Sequence, residues 1–246
     1  MENDGATVLL GVAGSVAAFR TIDLASRLTQ SGYRVDVVLT AAAHHFVRPL
    51  SFEAVTHRPA YTDESPGMLG GRAIHIELAD RARVVLVAPA TADLIGRYAC
   101  GLAPDLLSAL LLATTAPVVL APAMNTQMWM HAAVRDNVAL LQGRGVRLVG
   151  PESGLLSCGA EGPGRLWPVD RLFAAVEELW PSSASAGIAP EPAGKELVIH
   201  EREAISLSGQ EAKEVNEMTE KKKAAKKPAA KKVAKNSKKG PAAKKR

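Results

Sequence analysis

The sequence predicts an α/β protein, a doubly wound and mostly parallel sheet with helices on both faces. Three observations carry this. Short apolar runs alternate with stretches of helical spacing from Thr7 to Trp180, the pattern of βαβ units. The runs are apolar throughout rather than at every second residue, as strands covered on both faces must be. Several end at a Gly, Pro or small hydroxyl residue that suits the start of a helix.

The first run, "TVLLGVAG" (7–14), ends in glycine and reads as a buried strand. "SVAAFRTIDLASRLTQSG" (15–32) follows as a helix, with Ser15 as a cap at its start and Gly32 as a stop. "RVDVVLT" (34–40) is the second strand and "ARVVLVAP" (82–89) the third, followed by helical patterns over 91–100 and 104–113. "APVVLAP" (116–122) is the fourth strand, leading into a helix over roughly 127–143, and "GVRLVG" (145–150) is the fifth. The stretch "SGLLSCGAEGPGRL", from Ser153, shows no helix or strand period. "VDRLFAAVEELW" (169–180) closes the domain as a helix.

Charge divides the chain in two. Residues 1–180 hold fourteen Arg, no Lys and seventeen acids, a net of −3, whereas residues 181–246 carry a net of +8. From Lys221 onward there are thirteen basic residues and no acid. Such a segment buries too little apolar surface to offset its ordering entropy, so 181–246 is expected to be a disordered Lys/Ala/Pro-rich tail. It is either a solvated solubility tail or a binder of polyanions or nucleic acid through charge. Salt-dependent retention on DNA, lost on deleting the tail, separates the two. Two cysteines are too few for a disulfide framework, and a reduced cytoplasmic setting is expected. The run "TVLLGVAGSVAAF" follows an acidic "MENDG" rather than a basic segment, and no run of eighteen apolar residues suggests a membrane span.

Ligands of such sheets bind outside the carboxyl ends of the strands, so the residues just after each strand matter most. Gly14 and Ser15 suit a phosphate at a helix N-terminus, and equally a tight turn with a capping serine. The stretch is not G-x-G-x-x-G, and Thr40 stands where a ribose-binding acid would close the second strand. That argues for a mononucleotide over a dinucleotide. Thr91 and Asp93 read as helix caps or as contacts to a ring or phosphate. Ser108 reads as a solvent-facing helical residue, and Cys100, near a helix end, as structural. After the fourth strand, Asn125 offers two donors and an acceptor to a ligand, or reads as a helix cap, while Met128 and Trp129 read as packing. His75, in "RAIHIELAD", comes after a Gly- and Pro-rich loop (57–72) and is the most suggestive histidine. His44, His45, His57, His131 and His200 read as surface or packing residues. No histidine and cysteine set has zinc-ligand spacing.

"GSVAAFR", "HIELA", "APATADLI", "PAMNTQMW" and "SCGAEGPGR", in that order, resemble the homo-oligomeric flavin-containing cysteine decarboxylases, in particular their phosphopantothenoylcysteine decarboxylase branch. The resemblance covers about residues 5–180 and implies a Rossmann-like (flavodoxin-like) flavoprotein domain over 1–180. It implies an FMN-dependent conversion of 4′-phosphopantothenoyl-L-cysteine to 4′-phosphopantetheine in coenzyme A biosynthesis. The route is flavin oxidation to a thioaldehyde, loss of CO2, and re-reduction of the ene-thiol. It further implies a homotrimer with sites between subunits, often built into a dodecamer, and a separate ligase for the preceding step.

On this resemblance Gly14, Ser15 and Val16, then Thr40, Ala41 and Ala42, then Thr91, Ala92, Asp93 and Leu94 hold FMN. Ala123 packs near the flavin, Asn125 binds the substrate carboxylate and His75 is the catalytic base. Some members have serine, asparagine and threonine at 91, 93 and 94, which bears on the side-chain contacts more than on the backbone. The glycine-rich loop becomes a flap over the substrate, and Cys158 its proton donor. Two rivals exist. A peptide-cysteine decarboxylase stops at the oxidised ene-thiol and has no need of Cys158. A non-catalytic regulatory protein of the same fold can dispense with His75, Asn125 or Cys158.

Overall fold

A computed structural model describes residues 7–180; residues 1–6 and 181–246, and with them His200 and the expected disordered tail, lie outside the described residues. Strand β1 (Thr7–Val12) is buried along its whole length. Ser15 caps a short 3-10 turn that runs into helix α1 (Phe19–Gln30), and Gly32 comes just after it with φ +87°. Strand β2 (Val35–Leu39) is again wholly buried. Helix α2 (Pro49–Thr56), strand β3 (Ala60–Tyr61), the small strands β4 (Met68–Leu69) and β5 (Arg72–Ala73), and helix α3 (Ile74–Arg81) come next. Strand β6 (Ala82–Ala90) leads to α4 (Ala92–Ala99) and α5 (Leu106–Ala113). Strand β7 (Val118–Pro122) leads to α6 (Thr126–Met130), α7 (Ala132–Gly143) and β8 (Arg147–Leu148). A hairpin of β9 (Glu152–Leu155) and β10 (Glu161–Arg165) precedes α8 (Val169–Leu179).

The main sheet has the order β3-β2-β1-β6-β7-β8, with every neighbouring pair parallel. The chain winds outward from β1 through β2 to β3, then returns beside β1 as β6 and winds the other way. The strand order therefore reverses between β1 and β6, and a crevice opens there at the carboxyl ends. Side chains alternate between two cores. Val8, Leu10 and Val12 face Leu24 and Leu28 of α1, Phe52 of α2 and Leu172 and Val176 of α8. Leu9, Val85 and Val87 face Leu78 of α3, Leu94 and Ile95 of α4, and Leu107 and Leu110 of α5.

The structure departs from the sequence reading in several places. The helix expected over 127–143 is two helices, because His131 is extended (φ −62°, ψ 134°) and its Nδ1 accepts from Ala133 N at 3.2 Å. His131 is therefore a cap. The fifth strand is paired only at Arg147 and Leu148, at the sheet edge beside β7. Helix α2 falls in a stretch that carried no assignment, and strands β3 and β4 fall within 57–72, read as a loop. Ser108 is fully buried rather than solvent-facing, since Ser108 and Asp105 cap α5 reciprocally. Cys100 is exposed rather than packed. The segment without a strand period is the β9–β10 hairpin, which pairs Gly162 with Gly154. No helix among the described residues is long and apolar enough to cross a membrane.

Candidate active site

Four helix caps stand at the carboxyl ends of four adjacent strands. After β1, Ser15 Oγ accepts from Ala17 N at 3.3 Å; after β2, Thr40 Oγ1 accepts from Ala43 N at 3.3 Å. After β6, Thr91 Oγ1 accepts from Leu94 N at 3.3 Å; after β7, Asn125 Oδ1 accepts from Gln127 N at 2.8 Å. Each cap satisfies one first-turn N–H and leaves others without an intrahelical partner, at the positive end of the local dipole. Gly14 is required by packing: a Cβ there would come 2.5 Å from Ala42 Cβ, so only glycine lets the first two turns meet.

These turns surround a cavity of about 660 Å³, within the range of small-molecule sites. Of the residues expected to hold a cofactor, Gly14, Ser15, Thr40, Ala41, Ala42, Thr91, Ala92, Asp93 and Ala123 line it. Val16 and Leu94 do not. The Val16 side chain is 48% exposed, outside the cavity, while Leu94 is fully buried in the core beneath. Both are first-turn residues whose backbone, not side chain, belongs to the turn.

The cavity also has walls that the sequence reading missed: Asp63, Arg97, Asp105, Met124 and Met128. Met128, read as packing, is half exposed, whereas Trp129 is buried in the core. Arg97 bonds Asp93 at 2.7 Å and also pairs with Asp105. Burial alone would raise the Asp105 pKa, but bonds from Arg97 and Ser108 outweigh it and hold the carboxyl below its ordinary range. Asp63 Oδ1 accepts from Leu106 N at 2.8 Å and so ties the 57–72 loop to the start of α5. The D-x-x-S spacing of Asp105 and Ser108 is a helix-start signal that could have marked Asp105, but it was passed over. The Arg97 pairing across a loop leaves no such signal.

The hairpin brings Cys158 to Asn125. At its base, Met124 N donates to Gly164 O at 2.9 Å, and a Cβ on Gly164 would lie 2.2 Å from Met124 O. A Cβ on Gly162 would lie 2.8 Å from Thr126 Oγ1. These two glycines thus let the hairpin backbone lie directly on the start of α6, where Asn125 stands. At the tip, Leu156 N donates to Ala160 O at 2.8 Å and Cys158 is exposed. Asn125 Nδ2 donates to Cys158 Sγ at 3.5 Å. The Ala160 N–H, then this amide, pull the Cys158 pKa below the ordinary thiol range. Asn125 and Cys158 are not part of the cavity lining, but Ala123 and Met124, next to Asn125 in the chain, are.

His75 is not brought to this group. It sits in the first turn of α3, half-buried, in a hollow of about 350 Å³ that shares Asp63, Pro104 and Asp105 with the main cavity. Among the described residues no hydrogen bond joins it to Asn125 or Cys158.

The sequence model of the family described as Flavoprotein matches residues 1–180. The chain belongs to the Flavoprotein family. It is 44% identical over 176 residues to the coenzyme A biosynthesis bifunctional protein CoaBC of Vibrio vulnificus, a match covering 72% of this chain and 44% of that protein. The chain therefore spans less than half the length of such curated relatives. A solved structure of a PPC decarboxylase cysteine-to-serine mutant complexed with pantothenoylaminoethenethiol is 32% identical, with a TM-score of 0.66; the match covers 72% of this chain and 99% of that one. The FMN binding protein AtHal3 is 31% identical with a TM-score of 0.62, over 72% of this chain and 97% of that one. As a flavoprotein, this chain has its cavity where the doubly wound fold opens, at the reversal between β1 and β6.

Proposed function

We propose that this flavoprotein binds FMN and decarboxylates 4′-phosphopantothenoyl-L-cysteine to 4′-phosphopantetheine, a step of coenzyme A biosynthesis. The observation that carries the reading is the glycine-based hairpin that sets the Cys158 thiol against the Asn125 amide beside the capped cavity. The residues present fit a flavin mononucleotide. Capped turns at Ser15, Thr40 and Thr91 offer N–H groups to a phosphate, and Ala13, Ala41, Ala42 and Ala123 leave room for a flat ring. When bound, FMN supplies a reversible two-electron oxidation.

A simple carboxylate does not lose CO2 readily, because the carbanion left behind has nowhere to put its charge. Once the sulfur-bearing carbon is a thiocarbonyl, the carboxylate is β to it and sulfur accepts the electron pair. Asn125 Nδ2 holds the substrate carboxylate, since its Oδ1 is committed to Gln127 N. His75 takes the thiol proton released as the CH2–SH group is oxidised. Cys158 returns one to the carbon that lost CO2. Because His75 lies in the adjoining hollow, a second copy of the chain in a homotrimer completes each site.

The purified protein is expected to be yellow and to release FMN on denaturation. Incubation with the substrate followed by mass spectrometry should show loss of CO2 alone. A colourless protein that takes up no added FMN, or an unchanged substrate, refutes the reading. Loss of CO2 plus two hydrogens marks the peptide-cysteine type of outcome instead.

The same reading places all of the catalytic machinery in residues 1–180. A chain ending at Pro181 should fold, form the same oligomer and turn over at the full-length rate. Loss of the oligomer, seen by sedimentation, would show that the boundary lies further on.

A further inference from the structure

We propose that Asn125 times proton delivery by Cys158: its amide serves the hairpin thiol in the free enzyme, is drawn to the substrate carboxylate on binding, and returns to the thiol when CO2 leaves. This rests on the function proposed above. The bonds that the Asn125 side chain already makes lead to it. Its Oδ1 accepts from Gln127 N at 2.8 Å, which fixes the orientation of the amide and leaves the NH2 as the free end. That NH2 donates to Cys158 Sγ at 3.5 Å. A carboxylate is a stronger acceptor than sulfur and draws the same NH2. Two acceptors on one amide nitrogen lie roughly 5 Å apart.

The consequence for the thiol is electrostatic. A donor to Sγ favours the thiolate, and a carboxylate a few ångströms away disfavours it. While the carboxylate is present, Cys158 keeps its proton. Loss of CO2 moves the negative charge from the carboxylate to the ene-thiolate sulfur and frees the Asn125 donor in one event; with that donor back on Sγ, the thiol becomes more acidic as the carbon needs a proton. In that step the Sγ–H bond breaks and a C–H bond forms at the carbon that lost CO2. The ene-thiolate supplies the electron pair and becomes a thiocarbonyl, and Cys158 is left as thiolate. The charged groups on the hairpin are Glu161, three residues from Cys158, and the Glu152–Arg165 pair, 3.9 Å apart at its base. The facing helix α6 carries none. None of these charges shifts the free thiol; the Ala160 N–H and Asn125 do.

The test is the pH midpoint of iodoacetamide alkylation of Cys158 in the FMN-loaded full chain, with Cys100→Ser removing the other exposed thiol. At pH 7, Asn125→Ala and Asn125→Asp should alkylate roughly two- to tenfold more slowly, the fold-change expected for one lost hydrogen bond. Asp should be the slower, because it adds a charge; it also keeps the helix cap, so a folding defect does not explain it. If Asn125 merely shielded the thiol, alanine would speed alkylation, and that result overturns the proposal. Adding the serine analogue of the substrate should raise the midpoint, while 4′-phosphopantetheine, which has no carboxylate, should not. A midpoint unmoved by the serine analogue also overturns it. The variant arm needs neither substrate nor turnover. A failure there in a protein that decarboxylates therefore removes the timing role and leaves the proposed reaction standing.

Discussion

His75→Asn is expected to keep FMN and to lose turnover by ~10²–10⁴-fold, the usual cost of removing a general base. Oxidation of the CH2–SH group to a thiocarbonyl releases the thiol proton along with an electron pair from carbon, and an imidazole is suited to accept that proton. Asn has similar size and can still hydrogen-bond, so a merely structural histidine would tolerate the change. FMN content should be unchanged because His75 does not line the main cavity. The same geometry yields a sharper test. If His75 acts across a subunit boundary, oligomers reassembled from His75→Asn and Asn125→Asp chains contain some sites with both residues intact. Such mixtures should regain turnover that neither variant shows alone. Turnover within a few fold of wild type in His75→Asn would return His75 to the structural histidines.

Cys158→Ser should still oxidise and decarboxylate the substrate, yet release the oxidised ene-thiol or stall with reduced flavin. Yield of 4′-phosphopantetheine should fall by on the order of 10²-fold or more, because a hydroxyl is a far weaker acid than a thiol. Product mass and the flavin spectrum after anaerobic mixing report this directly. Normal phosphopantetheine formation with oxidised flavin would mean that Cys158 is not the donor. The wild type adds a pH signature. The Ala160 N–H and the Asn125 amide hold the Cys158 pKa below the ordinary thiol range. The donor must be protonated, so proton return is complete below the lowered value and is lost as pH rises through it. The share of oxidised product should therefore begin to climb at a pH below that at which an ordinary thiol ionises.

The order of residues was enough to set the sheet and the place of the site. Strands buried on both faces read as unbroken apolar runs, and β1, β2, β6 and β7 stand within a residue or two of where those runs lie. The caps Ser15, Thr91 and Asn125 were legible because a cap is a local bond between a side chain and its own next turn, whereas Thr40 was read only for its place at the strand end. Elements with little sequence of their own were not legible. Strand β3 is two residues long, and α2 leaves Leu50 72% exposed, so neither shows a clear period. The joins across loops were settled only in three dimensions. Arg97 reaches Asp105, Asp63 reaches the start of α5, and the hairpin glycines lie on Met124 and Thr126. Those glycines resemble a loop in the sequence because a strand that packs backbone against backbone has no side chains from which to build a period. Folding also set the Asn125 amide on the Cys158 thiol, 33 residues away along the chain, and put His75 in a different hollow. Periodicity records which face of an element is buried; it holds no record of which distant side chain the fold brings opposite.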